Sequence, residues 1–393
     1  MDLVLINGRV MTDDGLQDGL TVRLSGDRIT AVGAVGDIGA GARTRDLAGG
    51  LLLPGFIDTQ VNGGGGVLFN DQPTEAGIAQ IGAAHRRFGT TGFLPTLISD
   101  DLTTVETAIA ATRQALTVQA PGVLGLHIEG PFLNIRRKGI HDASKFRSLD
   151  EAAFELLTSL GAGRTLITLA PETTNGEMIA RLARAGVVVS AGHTNASYST
   201  VHTALAHGLT GFTHLFNAMS PLTSREPGAV GAALENTDCW CGIVVDGKHV
   251  DPVVLKLALR CRPHDRFMLV TDAMPCVGSS ETSFMLQGKH ITVRSGACYD
   301  DHGTLAGSNL DMASAVRNAV QLLGLDLATA VRMASHAPAQ FLGLGHELGR
   351  IAPGYRADLV LADEGLTVLD TWIGGRDSSQ GETPGAQGAA THV

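Results

Sequence analysis

The feature that most constrains this chain is an alternation, repeated eight times, between a short apolar segment and a stretch with helical spacing. The apolar segments lie near 51–59, 92–97, 123–129, 165–170, 187–192, 211–216, 241–246 and 267–272. Helical patterns lie between most of them, at 75–88, 102–117, 176–185, 197–207 and 252–261. Strands that alternate with helices over about 220 residues are typical of βαβ units closed into a barrel. The sequence therefore predicts an α/β fold built on a TIM-like (β/α)8 barrel.

Both ends of the chain have a different pattern. Short alternating apolar runs occur within 1–50, separated by turn pairs such as Asn7-Gly8 and Gly26-Asp27, which is typical of β-hairpins. Similar runs return at 357–361 and 366–373. We therefore expect a small β-sandwich domain built from both termini, residues 1–50 plus 346–376, flanking a catalytic barrel at 51–345.

Three further segments follow the eighth predicted strand. Turn and strand signals at 284–305 predict a hairpin, and the spacing predicts helices at 308–323 and 326–335. The final segment, 377–393, is rich in Gly, Ser, Gln and Ala without periodicity, which predicts a mobile tail.

Composition excludes several classes of protein. Hydrophobic residues make up 44 % and charged residues 17 %, which excludes an intrinsically disordered chain. A net charge of −10 and only 4 % aromatic residues argue against a nucleic-acid partner. The five cysteines lack CxxC spacing, which argues against a disulfide framework. No apolar stretch of about 18 residues occurs, so we expect no membrane partner and a cytoplasmic protein.

Polar residues stand at the ends of four predicted strands, where the active site of a (β/α)8 barrel lies. These residues are Glu129, His193, His214 and Asp272. His214 follows His193 by 21 residues, about one βα unit, so both side chains should project from neighbouring strands into one cleft. A lone histidine at a strand end is more often structural than a ligand, but four suitable residues at four strand ends favour a shared site.

Two imidazoles and a carboxylate are ligands that a catalytic divalent ion accepts, with a position left open for water. Asp272 would then act as a general base, because a bound ion lowers the pKa of water enough for a nearby carboxylate to take its proton.

The chain also contains longer motifs, which are PGFID at 54–58, LHIEGPFLN at 126–134, AGHT at 191–194, THLFNAM at 213–219, REPG at 225–228 and TDA at 271–273. They resemble the motifs of the amidohydrolase superfamily, over about residues 1–376. Most of that superfamily carries a His-x-His pair at the first strand for a second metal, whereas this chain has Gln60-Val61-Asn62. The difference matches the single-metal deacetylase branch.

The resemblance implies one divalent ion per chain, held by Glu129, His193 and His214. Zinc is the expected metal, with iron, manganese and cobalt as alternatives. It further implies hydrolysis of the acetamide of N-acetylglucosamine 6-phosphate to acetate and glucosamine 6-phosphate. Asp272 would be the general base and then the acid, and His141 would stabilise the oxyanion.

The resemblance also implies a substrate-binding set made up of Gln60, His141, Asn217, Ala218, Arg225 and His249. Arg225 and His249 would hold the phosphate, aided by Asn217 and the backbone near Ala218. A homodimer is implied as well, which allows one phosphate-binding cation to come from the neighbouring subunit. From sequence position alone, 136–138 (Arg-Arg-Lys) is expected to add positive field without direct contact.

Two other readings stay open at this point. A hydrolase of cyclic amides or of another N-acyl amino sugar would share the barrel, although the fourth strand offers no lysine for a bridging carbamate. A non-catalytic barrel scaffold should have lost ligands or base, yet all four strand-end residues are present. The choice between gluco and galacto epimers is also open.

Overall fold

The computed structural model describes residues 2–34 and 42–380. The strands are β1 (Asp2–Ile6), β2 (Arg9–Thr12), β3 (Gly15–Gln17), β4 (Leu20–Ser25), β5 (Arg28–Ala34), β6 (Arg43–Asp46), β7 (Leu51–Pro54), β8 (Phe56–Val61), β9 (Gly63–Gly64), β10 (Val67–Leu68), β11 (Thr90–Ile98), β12 (Gly125–Glu129), β13 (Arg164–Leu169), β14 (Val188–Ala191), β15 (Leu209–Phe212), β16 (Trp240–Ile243), β17 (Phe267–Leu269), β18 (Ser283–Leu286), β19 (Lys289–Arg294), β20 (Ala297–Asp300), β21 (Leu305–Ser308), β22 (Leu359–Ala362), β23 (Val368–Ile373) and β24 (Arg376–Asp377). The α-helices are α1 (Glu75–Arg86), α2 (Leu102–Thr117), α3 (Glu151–Leu157), α4 (Gly176–Arg184), α5 (Tyr198–Ala206), α6 (Gly228–Glu235), α7 (Pro252–Cys261), α8 (Met312–Leu323), α9 (Leu327–Ala334) and α10 (His336–Phe341).

The centre of the molecule is a nearly closed parallel barrel. Its eight strands are β8 and β11–β17, each hydrogen-bonded to the next in chain order. The remaining seam, between β17 and β8, is joined by backbone bonds just beyond the strands: Asp272 N donates to Gln60 O at 3.0 Å, and Asn62 N donates to Ala273 O at 2.9 Å. The predicted TIM-like barrel is confirmed.

The two ends of the chain form two further sheets, in the orders β5-β4-β1-β6 and β24-β23-β22-β7-β2-β3. A separate hydrophobic core joins them, with Leu5, Leu24, Leu52, Leu359 and Trp372 among its buried members. This arrangement confirms the β-sandwich of both termini, because each terminus buries its apolar face against the other.

The strand predicted at 51–59 is wrong as a single element. The structure divides it at Gly55, so that β7 pairs with β2 and β22 in the terminal sheet while β8 begins the barrel. Every residue of both halves is buried, and the apolar run continues across Gly55 to Phe56 and Ile57, so hydrophobic pattern alone does not mark the boundary. Glycine is required where the chain crosses from one sheet to the other, because a Cβ at position 55 would lie only 1.9 Å from Thr91 Oγ1.

The two ends of the barrel are covered differently. At the amino end of the strands, Phe341 and Leu342 at the end of α10 pack against Ile57, Leu94 and Met268 and close the barrel. At the other end, β18–β21 form a four-stranded antiparallel sheet where the sequence predicted one hairpin. That sheet is tied to the seam, because Ser308 N donates to Asp272 O at 2.9 Å.

Three short helices of six to eight residues, α3, α6 and α10, were not predicted from the sequence. The first residues of the predicted tail complete β24 and a short 3-10 turn at Ser378–Gln380, and 381–393 lie outside the described residues. In the described part of the chain, no helix combines the length and apolar character that crossing a bilayer requires.

Candidate active site

Four side chains are delivered to the carboxyl end of the barrel by its strands. Glu129 is the last residue of β12, and His193, His214 and Asp272 follow β14, β15 and β17 by two or three residues. The strands predicted at 187–192, 211–216 and 267–272 therefore end earlier than expected. The backbone turns there, because the φ angles of the three residues are 47°, 33° and 52°, in the left-handed region.

A left-handed conformation at a residue with a side chain costs about 1–3 kcal/mol and persists only where the surroundings enforce it. Three such residues at one barrel end are a local feature that aims two imidazoles and a carboxylate at one point.

Three of these side chains converge on a single position. Nε2 of His193 lies 3.1 Å from Glu129 Oε1, and Nε2 of His214 lies 2.9 Å from the same oxygen. The two imidazole Nε2 atoms are 3.0 Å apart. All three residues are buried, and together they form a group able to hold a metal ion.

The chemistry of the donor atoms fits a divalent ion. His193 Nδ1 lies 2.8 Å from the carbonyl oxygen of Arg137, which only accepts, so Nδ1 carries the proton and Nε2 presents a lone pair to the cluster. A tetrahedral ion with bonds of about 2.1 Å separates its ligand atoms by about 3.4 Å, close to the observed distances. Glu129, His193 and His214 thus suit a catalytic ion with one position left for water.

The Glu129 carboxylate is held in its charged form. Burial by itself would raise its pKa, but the hydrogen bonds with His193 and His214 bring the pKa well below the usual range. The second oxygen, Oε2, accepts from Gln60 Nε2 at 3.2 Å. A charged carboxylate between two imidazoles is the state in which this cluster binds a cation.

Asp272 lies beside this cluster with its two oxygens in different surroundings. Oδ1 accepts from Asn62 Nδ2 at 2.7 Å and from Gln60 Nε2 at 3.1 Å. Oδ2 faces His249 Nε2 at 3.9 Å, beyond hydrogen-bond distance. Burial and the nearby charge of Glu129 raise the pKa of Asp272. A carboxylate with a raised pKa is suited to take up a proton and release it again.

His141 is a neutral hydrogen-bond donor on the cavity wall. The backbone N–H of Ser99 donates to His141 Nδ1 at 3.3 Å, and Ser99 Oγ lies 2.8 Å from the same nitrogen. Because Nδ1 accepts, the ring proton is on Nε2. Burial and the neighbouring His193 lower the pKa of His141 well below its usual value.

His249 follows β16 and is oriented by a carboxylate. Its Nδ1 donates to Asp246 Oδ2 at 2.6 Å. Burial would raise the pKa of Asp246, but the hydrogen bond from His249 lowers it, so Asp246 is charged. This bond fixes the ring with Nε2 turned toward Asp272.

A cavity of about 300 Å³ opens above these side chains. It contains the cluster, Asp272, His141, His249, Asn217 and Ala218, so the structure brings these predicted residues together. Gln60 is not on the cavity wall, since its amide lies between Glu129 and Asp272. Arg225 is exposed in the loop before α6 and does not line the cavity of its own chain.

Sequence reasoning missed several residues of the site. Arg136 and Arg137 line the cavity, although only a field effect was expected of them. Ser99, which orients His141, follows β11 without any motif to mark it. Asn62 was noted only as a departure from His-x-His, yet it is hydrogen-bonded to Asp272.

Comparison with known proteins gives concordant results. The model of the amidohydrolase family matches residues 51–377. An N-acetylgalactosamine-6-phosphate deacetylase from Shewanella sp. is 46 % identical over 86 % of this chain and 85 % of its own.

Two solved structures are similar over nearly the full length. The crystal structure of N-acetylglucosamine-6-phosphate deacetylase from Pasteurella multocida has a TM-score of 0.93 at 35 % identity, covering 96 % of this chain and 100 % of its own. An Asp→Ala mutant of the Mycobacterium smegmatis N-acetyl-D-glucosamine-6-phosphate deacetylase, in complex with N-acetyl-D-glucosamine-6-phosphate, has a TM-score of 0.86 at 33 % identity, covering 96 % and 98 %.

Proposed function

Because the chain belongs to the amidohydrolase family, we propose that it hydrolyses the acetamide of N-acetylglucosamine 6-phosphate to acetate and glucosamine 6-phosphate. The observation that carries this proposal is the convergence of Glu129, His193 and His214 within 3.1 Å of one another, next to Asp272. Relatives with the same printed activity cover almost the whole chain.

The metal-binding residues in this proposal are Glu129, His193 and His214, with one divalent ion per chain. Zinc is the expected ion, with iron, manganese and cobalt as alternatives, because two imidazoles and one carboxylate discriminate poorly among these metals. When bound, such an ion supplies Lewis acidity that lowers the pKa of water and polarises a carbonyl oxygen.

The chain's own residues then carry the proton. Asp272 Oδ2 is free of hydrogen bonds from described residues, so it accepts the proton of the attacking water and returns it to the departing amine. The Nε2–H of His141 donates to the carbonyl oxygen as negative charge develops there. Neutral His141 serves this role at physiological pH, because burial keeps it from binding a second proton.

The phosphate of the substrate is assigned to His249 and Arg225, with Asn217 and the backbone of Ala218 beside them. Since Arg225 does not reach the cavity of its own chain, we assign this cation to the neighbouring subunit of a homodimer. Mixing Asp272→Asn protomers with Arg225→Gln protomers tests the assignment. Partial recovery of activity supports it, whereas additive loss argues against a shared site.

A second candidate is the same reaction on the galacto epimer, because the 46 % identical relative is an N-acetylgalactosamine-6-phosphate deacetylase. The two substrates differ in the orientation of one ring hydroxyl. The ratio of kcat/KM for the two sugar phosphates decides between them.

The experiment that tests the proposal combines metal analysis with an acetate-release assay on both sugar phosphates and their unphosphorylated parents. We expect about one divalent ion per chain and a strong preference for the phosphate esters. Release of no acetate from either sugar phosphate by metal-loaded protein would reject the function, and equal rates with and without phosphate would reject the phosphate site. We also propose that the enzyme acts in the cytoplasm, because its substrate would be a charged sugar phosphate.

A further inference from the structure

The geometry points to Asn62 as a positioning residue that, together with Gln60, holds Asp272 by one oxygen and leaves the other free for the proton. This inference rests on the proposed function, because it assigns a role within that reaction. Asn62 is not one of the three clustered ligand residues, and among the described residues the hydrogen bond from its side chain goes to Asp272.

The barrel seam brings these groups together. Val61 and Ala273 pair in parallel, and Asn62 N donates to Ala273 O at 2.9 Å while Asp272 N donates to Gln60 O at 3.0 Å. This register sets Asn62 and Asp272 on facing segments of one seam. The backbone of Asp272 is also fixed from the other side, since its carbonyl accepts from Ser308 N at 2.9 Å.

The carboxylate is asymmetric as a result. Both amide donors reach Oδ1, at 2.7 Å from Asn62 and 3.1 Å from Gln60. Gln60 Nε2 also bridges to Glu129 Oε2 at 3.2 Å, so amide N–H groups lie between two carboxylates that would otherwise repel each other. Rotation of Asp272 about its side-chain bonds would break both hydrogen bonds to Oδ1.

The burial of Asn62 indicates that its donor group matters. Asn62 is fully buried, and its Oδ1 has no hydrogen-bond partner among the described residues. An unpaired buried amide oxygen destabilises the folded protein, a cost that a leucine of similar size would avoid. The compensating contact is the 2.7 Å bond to Asp272.

The test uses metal-loaded full-length protein with Asn62→Leu and Asn62→Asp. Both variants remove the amide donor, and Asn62→Asp also introduces a carboxyl group. Asn70→Asp is the matched control, because Asn70 also donates to an aspartate, Asp100, at 3.0 Å, and neither residue lines the cavity. We expect both Asn62 variants to keep about one metal ion and a KM within about threefold, with kcat lowered by at least about tenfold. The control should keep kcat within about threefold.

A double-mutant cycle separates positioning from a general structural role. In an Asp272→Asn background, Asn62→Leu should change the residual kcat by less than about threefold, because the group that it positions is already lost. Multiplicative losses would overturn the inference, as would an unchanged kcat in a folded, metal-loaded Asn62→Leu protein.

A crystal structure of metal-loaded Asn62→Leu provides a readout independent of activity. We expect the Asp272 carboxylate to leave its present orientation. If the carboxylate keeps it, the inference is wrong whether or not the parent protein is a deacetylase. If Asn62→Leu does not fold, the same crystal and kinetic outcomes are scored on Asn62→Asp. Loss of acetate release in the parent protein would instead reject the proposed function.

Discussion

Replacing Asp272 by Asn isolates its role as a base. The amide oxygen of Asn can still accept from Asn62 and Gln60 at the position of Oδ1, so the side chain should keep its place. The NH2 group then stands where Oδ2 was and accepts no proton. Because residue 272 contributes no atom to the Glu129–His193–His214 cluster, metal binding should persist.

The size of the effect follows from the loss of proton transfer alone. General acid–base catalysis contributes about 10²–10⁴-fold, or roughly 2.7–5.4 kcal/mol at about 1.36 kcal/mol per decade. Since Asp272 acts twice in the proposed reaction, as base and then as acid, we expect a loss of kcat of at least about 10²-fold. KM should change by less than about threefold, because the hydrogen bonds around residue 272 are retained.

The assay is acetate release by Asp272→Asn protein whose metal content has been measured, compared with the parent at saturating N-acetylglucosamine 6-phosphate. Full turnover in the variant would refute the assignment of Asp272 as the base. Loss of the metal together with activity would show that residue 272 contributes to binding the ion, and would equally refute the reasoning.

Three further predictions follow from the contacts described. Ser99→Ala removes the hydroxyl that orients His141 but keeps the backbone donor, so kcat in steady-state assays should fall by about 2–12-fold, the equivalent of about 0.5–1.5 kcal/mol, and an unchanged kcat would contradict this. Arg136→Gln should raise KM for the sugar phosphate more than Lys138→Gln does, because both substitutions remove one charge but only Arg136 lines the cavity. Equal increases of KM that weaken with added salt would show that Arg136 acts only through long-range electrostatic attraction. Burial raises the pKa of Asp58 to about 7, above about 3.9 in the unfolded chain, so its protonated form stabilises the fold at low pH and this contribution is lost as the pH rises through about 7. Thermal melts should therefore show the Tm of the parent falling relative to Asp58→Asn between pH 5 and 8, and a constant difference would contradict this prediction.

Much of the fold could be read from local pattern. Eight apolar segments separated by helical spacing predict the barrel, because every strand of a parallel sheet is buried on both faces and must be followed by a crossover. The same interpretation was wrong at Gly55, where two buried strands belong to different sheets but follow each other without a turn signal that separates them. It also missed short helices such as α3, since seven residues carry too few helical turns to show a periodic pattern.

Sequence analysis could find a residue of the site where two conditions hold together: the residue lies at a strand end, and its side chain can bind a metal ion, accept a proton or bind a phosphate. Glu129, His193, His214 and Asp272 satisfy both conditions, and the structure brings them together. Arg225 satisfies the chemical condition only, and the structure of one chain does not bring it to the cavity. Ser99 carries no chemical signal of its own, because its importance comes from its contact with His141.

The sequence by itself determined the class of fold, the strand ends that carry reactive side chains, and the absence of a His-x-His pair at the first strand. These properties depend on residue type and on short spacings along the chain, both of which are visible in the sequence. Only the tertiary structure decided which oxygen of Asp272 is held and which is free. The hydrogen bonds to Asp272 form where β8 and β17 meet across the barrel seam, between segments about 210 residues apart in the chain. No local sequence pattern predicts which atoms of such distant segments form a hydrogen bond.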